Sequence, residues 1–592
     1  MSRRLPTKRG RRGRRSIRRG SPLAVLVLLL TTACGDGTAD GPGRPPQPGD
    51  PIAGAPDIPS FTPAQAAAAI DFRHDHGGTG ERYMPETMGS GAAWLDYDGD
   101  GHLDLYLVQG GPFPGAPRPA GAAAEAGAPP AGSRLFRNRG DGTFEDVTEL
   151  ARATSDGYGM GACVGDVDND GHADLYLSHL GPDQLLRNRG DGTFEDATAA
   201  ARIRVDGWST SCVFADFDRD GWLDLYVVRY VDFRLDNHRR CGPVDLEQYC
   251  HPDVYAGVPD VLLRNLGDGR FEDASRDAGV AVDDPEESKG LGVLVLDYDE
   301  DGDLDLYVSN DSTRNFLYRN DGDFTFAEIG AGAGVAFNEL GATEAGMGVD
   351  AGDVDGDGRL DLFVTNLDFE TNTLYRQAGG GLFEDATVLA GLSSTSLRWV
   401  GFGLAFFDAD LDTDLDLYIT NGHILDNVAA RNPTLSHAQP DQLFLNGADG
   451  VEGRFTDAAR RGGTPFLADR VGRGVADADY DNDGDIDLLV THNHQPAVLL
   501  RNDLDPGARG ARWLGLGLRS RFGGRDAYGA EARLVIRTAD GGRKTLVRQV
   551  QAGGYLTQGD PRIHFGLGPS ATLESLEIRW PQGDRQNVPV EA

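Results

Sequence analysis

DYDGDGHLDLYLV, residues 96–108, sets the reading of the chain, because the same pattern returns six times. The copies are DVDNDGHADLYLS from Asp166, DFDRDGWLDLYVV from Asp216, DYDEDGDLDLYVS from Asp297, DVDGDGRLDLFVT from Asp353, DADLDTDLDLYIT from Asp408 and DYDNDGDIDLLVT from Asp479. Successive starts lie 70, 50, 81, 56, 55 and 71 residues apart. A base period of about 50 residues with insertions is the scale of a propeller blade. Every copy places carboxylates at positions 1, 3, 5 and 9: Asp96, Asp98, Asp100 and Asp104; Asp166, Asp168, Asp170 and Asp174; Asp216, Asp218, Asp220 and Asp224; Asp297, Asp299, Asp301 and Asp305; Asp353, Asp355, Asp357 and Asp361; Asp408, Asp410, Asp412 and Asp416; Asp479, Asp481, Asp483 and Asp487. Alternate side chains of a tight turn converge, and four carboxylates converging on one point need a cation. An all-oxygen donor set selects Ca²⁺, with up to seven sites. Gly at position 6 permits the sharp turn; the sixth copy has Thr413 there. An EF-hand would need Glu at position 12, where this chain has Leu107, Leu177 and Val227, and the run after the last Asp alternates like a strand.

The remainder of each unit supplies three more strands. An apolar strand precedes the loop (GLGVLVL, GFGLAFF), LDLYLV and its relatives follow, then a short strand ending in Asn (Asn138, Asn188, Asn265, Asn320). An Asp-Gly hairpin and a last strand close it, as in GDGTFEDVT. Four strands in each of seven units predict an all-β, seven-bladed β-propeller. Phe61-Thr62-Pro63-Ala64 matches the final-strand motif Phe144-Glu145-Asp146-Val147 and is expected to complete blade seven, protecting an open edge. The RGD tripeptides at Arg139 and Arg189 fall within that hairpin and are read as turns, not as integrin ligands.

This topology puts the acidic loops and the hairpins at one end of the blades. The long insertions 110–133, 230–260 and 422–441, and the interblade loops, lie at the other end, where recognition usually sits. Five residues beyond the last Asp of each loop stand Gln109, His179, Arg229, Asn310, Asn366, Asn421 and His492. They either cap loop backbones or present a polar ring to a ligand. His74-Asp75-His76 and His492-Asn493-His494 look like metal ligands, but no third ligand is evident for either.

The chain has 592 residues, with 93 acidic against 56 basic and a formal charge of −37. That acidity argues against a nucleic-acid partner. The one long apolar run, residues 22–33, is shorter than the about 20 residues a membrane span needs. Residues 1–20 hold ten basic residues and no acid; the apolar run and then Cys34 follow. This is a secretory signal over residues 1–33. Cys34 is placed for acylation as a lipoprotein anchor, although Thr31 stands where Leu is usual; simple secretion is the alternative. Residues 34–57, rich in Gly and Pro, read as a tether, residues 58–506 as the propeller and residues 507–592 as a small β-domain. The last stretch holds thirteen basic and eight acidic residues. Its charge suits docking on the acidic propeller or an anionic partner; ordinary surface charge is the plain alternative. Cys241 and Cys250 bracket a blade-three insertion and are expected to pair in an oxidising compartment. Cys163 and Cys212 lie three and four residues before their first Asp, so alternation puts them on opposite strand faces. A second disulfide and buried thiols both remain open.

The repeats resemble the FG-GAP/VCBS repeats of integrin α-subunit propellers. More closely, the chain resembles bacterial members of the cartilage acidic protein family. The resemblance rests on HDHGGTGERYMPETMGSGAAWLDYDGDG from His74, on CGPVDLEQYCHPDVYAGVPDVLLRN within Tyr230 to Asn265, and on AYGAEARLVIR, GGYLTQGDPRIHFGLG and LEIRWPQG near the C-terminus. The last three are similar to the ASPIC/UnbV domain. The resemblance implies a calcium-bearing propeller followed by that domain, and says little of a partner. No HExxH, Gly-x-Ser-x-Gly or phosphate loop occurs. The expected function is an exported, membrane-anchored binding or adhesion module for an extracellular protein or glycan. The alternatives are a polysaccharide-active enzyme, for which Asp232, Asp236, Glu339, Glu344, Asp368 and Glu370 offer carboxylates, and a structural envelope component.

Overall fold

A computed structural model describes residues 59–113, 115, 132–155, 157–459, 464–504 and 510–590, with the backbone of Leu26–Leu29. Most of the signal segment, Cys34 and the tether lie outside the described residues. Leu26–Leu29 pairs antiparallel with Arg512–Leu518.

Seven four-stranded antiparallel sheets follow one another, each built on one acidic loop. In blade two the strands are Tyr158–Gly165, Asp174–Leu180, Gln184–Asn188 and Phe194–Asp196, running from the channel outward. The first strands are buried along almost their whole length, as in Gly290–Leu296 and Gly401–Phe407, because they pack on both neighbouring blades. This explains why they read as continuous apolar runs rather than alternating ones. Phe61–Pro63 pairs with Val498–Asn502 and completes blade seven. The ring closes between Gly472–Ala478 of blade seven and Ala92–Leu95 of blade one. There Thr491 Oγ1 donates to Ser90 O at 2.6 Å. The equivalent hydroxyls of Ser309 and Thr365 donate to Met347 O and Phe402 O of the next blade, both at 2.6 Å.

Both disulfides form, Cys241–Cys250 and Cys163–Cys212. Opposite strand faces are what the second bridge requires. Blades stack face to face, so the side of blade two that looks at blade three meets the reverse side of blade three.

The C-terminal domain has a sheet ordered Arg543–Gln549, Glu531–Arg537, Thr572–Arg579, Arg585–Val588, and a second pairing of Arg512–Leu518 with Ile563–Gly568. Its segment 551–558 enters the propeller's central channel. Gly553–Gly554 pairs with blade four at Leu294 and Val293, and Thr557–Gln558 pairs parallel with Ala92 and Ala93 of blade one. A Cβ on Gly553 would lie 2.1 Å from Val293 O, and its φ is +118°, so only glycine fits. Tyr555 and Leu556 reach the far side of the ring, where Tyr555 Oη donates to Met88 O at 3.0 Å.

Candidate metal centres and ligand face

The seven acidic loops share one construction. In the first, second and sixth loops the position-1 carboxylate receives N–H groups from positions 5 and 6, as Asp96 does from Asp100 and Gly101, both at 3.0 Å, and Asp166 from Asp170 and Gly171 at 3.0 and 2.8 Å; Asp216, Asp297 and Asp353 receive the position-6 N–H alone. The position-6 residue is left-handed, with φ from +87° to +98° at its glycines and +92° at Thr413. Thr413 therefore adopts the glycine conformation and donates the same N–H to Asp408, at 2.9 Å. The position-9 carboxylate is buried and clamps two chains. Asp104 accepts from Tyr97 N at 3.0 Å and Asn138 N at 2.8 Å; Asp174 accepts from Val167 N at 2.9 Å and Asn188 N at 2.7 Å. The Asn side chain then reaches the loop of the preceding blade. Asn138 Nδ2 donates to Tyr480 O at 2.9 Å, Asn188 to Tyr97 O at 2.8 Å, Asn265 to Val167 O at 2.9 Å, Asn320 to Phe217 O at 2.9 Å, Asn446 to Val354 O at 2.7 Å and Asn502 to Ala409 O at 2.9 Å. Gln377 takes this place in blade five and donates to Tyr298 O. Each loop is thus tied to the next blade.

Carboxylate oxygens of Asp96, Asp98 and Asp104 lie within 4.8 Å of one another, as do those of Asp166, Asp168 and Asp174, and of Asp297, Asp299 and Asp305. The third loop brings together Asp216, Asp218 and Asp220. Buried oxygens of Asp98, Asp168, Asp297, Asp353 and Asp481 have no hydrogen-bond donor. The seventh loop adds Asp485 at position 7, which the four-position pattern missed; it is buried and neither carboxylate oxygen meets a donor. Burial, and then the neighbouring carboxylates, push Asp297 up to about 7 and Asp485 to about 9. Desolvated carboxylates without donors are costly unless a cation joins them. The donors are all oxygen and the geometry fits a hard divalent ion.

The C-terminal domain covers this face. Buried Arg525 stands 3.4 Å from Asp216 Oδ2, Arg533 reaches Glu300 at 2.9 Å and Lys544 contacts Asp414. Arg562 donates to Asn482 Oδ1 and Asp479 O, both at 2.6 Å, and His564 Nε2 bonds Gly484 O at 3.0 Å. Of the readings left open for this basic domain, docking on the propeller is the one found.

Most of the polar ring is buried among the turns, and Arg229 alone of the six candidates lines surface recesses. His179, Asn310, Asn366, Asn421 and His492 are buried, and Arg229 is half-buried. His179 Nε2 bonds Ser155 Oγ at 2.9 Å and Arg229 donates to Asp206 O at 2.6 Å. Asn310 Nδ2 donates to Arg314 O at 3.0 Å, Asn366 to Thr371 O at 2.6 Å and Asn421 to Pro440 O at 2.9 Å, while His492 Nδ1 bonds Pro496 O at 3.0 Å. One amide or ring atom of each of the five buried members bonds a neighbouring loop group.

The open face instead holds a cavity of about 400 Å³. Met84, Met88, Met347, Leu291 and Phe402 give it apolar walls; Asp311, Asp368 and His423 give it polar points. Met88 and Phe402 also touch Tyr555 at the tip of the channel plug. His423 Nε2 is 3.5 Å from Asp368 Oδ1, and Asp311 accepts from Tyr230 Oη and Ser312 Oγ, its carboxyl raised by burial. Of the six carboxylates considered for an enzyme, only Asp368 lines this cavity. Asp232 and Asp236 are bound to Arg234 at the surface, and Glu344 and Glu370 bond neighbouring chain groups. Asp311 was missed, although it directly follows Asn310 of the polar ring. Arg473, fully buried against the Phe402 ring at 3.9 Å and donating to Thr87 O and Gly422 O, carried no sequence signal.

Comparison with known proteins agrees with this construction. Residues 522–591 match the ASPIC and UnbV family, and residues 122–177, 176–227, 297–364 and 353–419 match the FG-GAP-like repeat. The chain is an FG-GAP-repeat propeller protein with an ASPIC and UnbV domain. Its repeats and C-terminal domain match the content expected from the resemblance to the cartilage acidic protein family. Cartilage acidic protein 1 of Xenopus tropicalis is 29% identical over 314 residues, which is 50% of this chain and 42% of that protein. The Homo sapiens protein is 28% identical over 331 residues, 53% and 43% of the two chains. The match therefore spans less than half the length of either relative. Among solved structures, an Agrocybe aegerita lectin described as recognising non-reducing terminal N-acetylglucosamine aligns with 63% of this chain and 80% of its own at 16% identity and a TM-score of 0.36. A rhamnogalacturonan lyase aligns with 73% of this chain and 91% of its own at 13% identity and a TM-score of 0.28. Likenesses this loose carry no inference about activity. Among the described residues no helix is long and apolar enough to cross a membrane.

Proposed function

We propose that the protein is an exported binding module, stabilised by Ca²⁺ in its acidic loops, that takes its ligand on the face opposite those loops. The observation that carries this reading is the asymmetry of the two faces. The C-terminal domain covers the loop face and plugs the channel, leaving the cavity between Met84, Met347, Phe402 and Asp368 as a recess on the free face. A concave, largely apolar recess with a few converging polar groups is the usual form of a ligand seat. Its walls suit a ligand with an apolar face and a small number of hydrogen-bonding groups, such as a glycan terminus or a side chain of an extracellular protein. Ca²⁺ bound in the loops supplies charge neutralisation; the chain's own Asp and Asn residues then hold blade to blade. The export address and the Cys34 anchor complete the reading, with the bacterial envelope as the expected location.

The test is a glycan and peptide binding screen of residues 35–592 in calcium, with Met347→Trp and Asp368→Asn alongside. Binding by the wild type that is lost when Trp fills the cavity, with the melting temperature kept, is the expected result. A ligand bound equally by both variants would place recognition elsewhere and overturn the reading.

A further inference from the structure

The first residues of the propeller run antiparallel to the turn that ends strand two of blade seven. Arg73 bridges Pro496, His74 N donates to Gln495 O at 3.0 Å, and His494 N donates to His74 Nδ1 at 3.1 Å. This register follows from the N-terminal strand that closes blade seven, and it joins two histidine motifs separated by over 400 residues of sequence. It lays the His76 ring on the His494 ring, with centroids 4.2 Å apart and planes 22° from parallel. Asp75 stands beside them, its Oδ1 3.9 Å from His494 Nδ1. One donor atom from each of the three residues lies within 4.8 Å of the other two. The third ligand that neither motif supplied alone comes from the other.

We propose that Asp75, His76 and His494 form a site for a divalent transition ion of the zinc class, separate from the acidic loops. Two imidazoles and one carboxylate are a borderline-soft donor set, which favours Zn²⁺ over Ca²⁺ or Mg²⁺. The three donors lie within 4.8 Å of one another, so side-chain rotation has to turn the stacked rings and draw the donors together to place one ion at about 2.0–2.2 Å. The surroundings orient the set. Asp75 Oδ1 accepts the Gly77 N–H at 2.9 Å, the Asp75 N–H donates to Gln109 Oε1 at 2.6 Å, and Tyr158 Oη donates to His76 O at 2.8 Å. His494 sits at φ +53°, a left-handed conformation uncommon outside glycine, and such strain is kept where the surroundings over-determine it. The His494 side chain is 52% exposed, which leaves coordination positions open to water or to a ligand group. The site lies on the face opposite the acidic loops.

The experiment uses the full mature chain, stripped with EDTA and returned to saturating calcium so that the acidic loops are filled. Zn²⁺ is titrated by calorimetry and Co²⁺ by visible absorption. One zinc per chain and cobalt d–d bands are expected. His76→Ala and His494→Ala should each weaken zinc binding at least tenfold, and Asp75→Asn, which keeps the Gly77 hydrogen bond, by a smaller factor. A calcium-dependent melt checks that each variant is folded. Independently of any variant, zinc should protect His76 and His494 of the wild type from diethylpyrocarbonate, read by mass spectrometry. No zinc uptake with the loops filled, unchanged affinity in folded histidine variants, or no protection would each overturn the proposal.

Discussion

Replacing Tyr555 tests whether the C-terminal domain is seated in the channel. Tyr555 is 2% exposed, its ring centroid is 5.3 Å from that of Phe402, and its hydroxyl donates to Met88 O at 3.0 Å. Tyr555→Ala removes a buried aromatic ring and leaves a hole between blades, which costs about 3–5 kcal/mol for large-to-small changes of this kind. Tyr555→Phe removes only the hydroxyl and strands Met88 O, for roughly 1–2 kcal/mol. Urea unfolding at fixed, saturating calcium reads both, followed in parallel by circular dichroism and by proteolysis of the C-terminal domain. The ordering Ala worse than Phe worse than wild type is expected, with the domain becoming cleavable at lower urea. Gly553→Ala supplies a check that leaves the ring alone, because its Cβ meets Val293 O; a loss of about 2 kcal/mol or more is expected from strain and a displaced strand pair. If Tyr555→Ala unfolds within about 0.5 kcal/mol of the wild type, the magnitude expected of an exposed position, the plug is not seated as described.

Chelation of calcium with EGTA is expected to lower the melting temperature by at least about 10 °C, since each loop contributes about 2.7 kcal/mol at a free ion concentration of 100 Kd; an unchanged differential scanning trace would sink the calcium assignment. Asn188→Ala removes bonds to Tyr97 O, Ala173 O and Gly190 N from a buried site and should cost about 3 kcal/mol in urea, at an unchanged number of bound calcium ions by equilibrium dialysis. Burial pushes Asp183 and Asp260 up to about 7, outweighing the hydroxyls that bond them. Their folded pKa lies above the unfolded value, so the stability they contribute is complete below about 3.9 and is lost as pH rises towards 7. Asp183→Asn should therefore cost most near pH 4.5 and least near pH 7.5 in urea titrations at constant calcium; a cost independent of pH would refute the raised pKa.

The repeat made the acidic loops, the hairpins and the closing strand Phe61–Pro63 legible, because each rests on a local pattern of two to nine residues. The same locality explains the omissions. Cys163 and Cys212 were correctly placed on opposite strand faces, yet whether those faces meet depends on how blades stack, which no single strand encodes. The polar ring was readable as caps or as ligand contacts, since Asn310 and Asn421 look alike whether they bond a turn or face water. The plug QAGGYLTQ has neither strand alternation nor helical period. The cavity arises from residues 84–88, 347, 402 and 423–435, which no sequence window holds together.

These parts are mechanically linked. Each position-9 carboxylate holds the Asn, or in blade five the Gln, of its own blade, and that amide holds the loop of the blade before, so an ion bound in one loop fixes two blades at once. Seven such ties, with Thr491 to Ser90 across the seam, make ring closure depend on loop order. The basic strands of the C-terminal domain rest on those loops, and the same domain sends Tyr555 through the channel to Met88 and Phe402 in the cavity wall. Loosening the loop face therefore reaches the opposite face along one covalent segment, without any change in the cavity's own residues. A ligand held between Met88 and Phe402 is accordingly expected to bind more weakly when calcium is removed, and this dependence should shrink in Tyr555→Ala, where the segment no longer grips the wall.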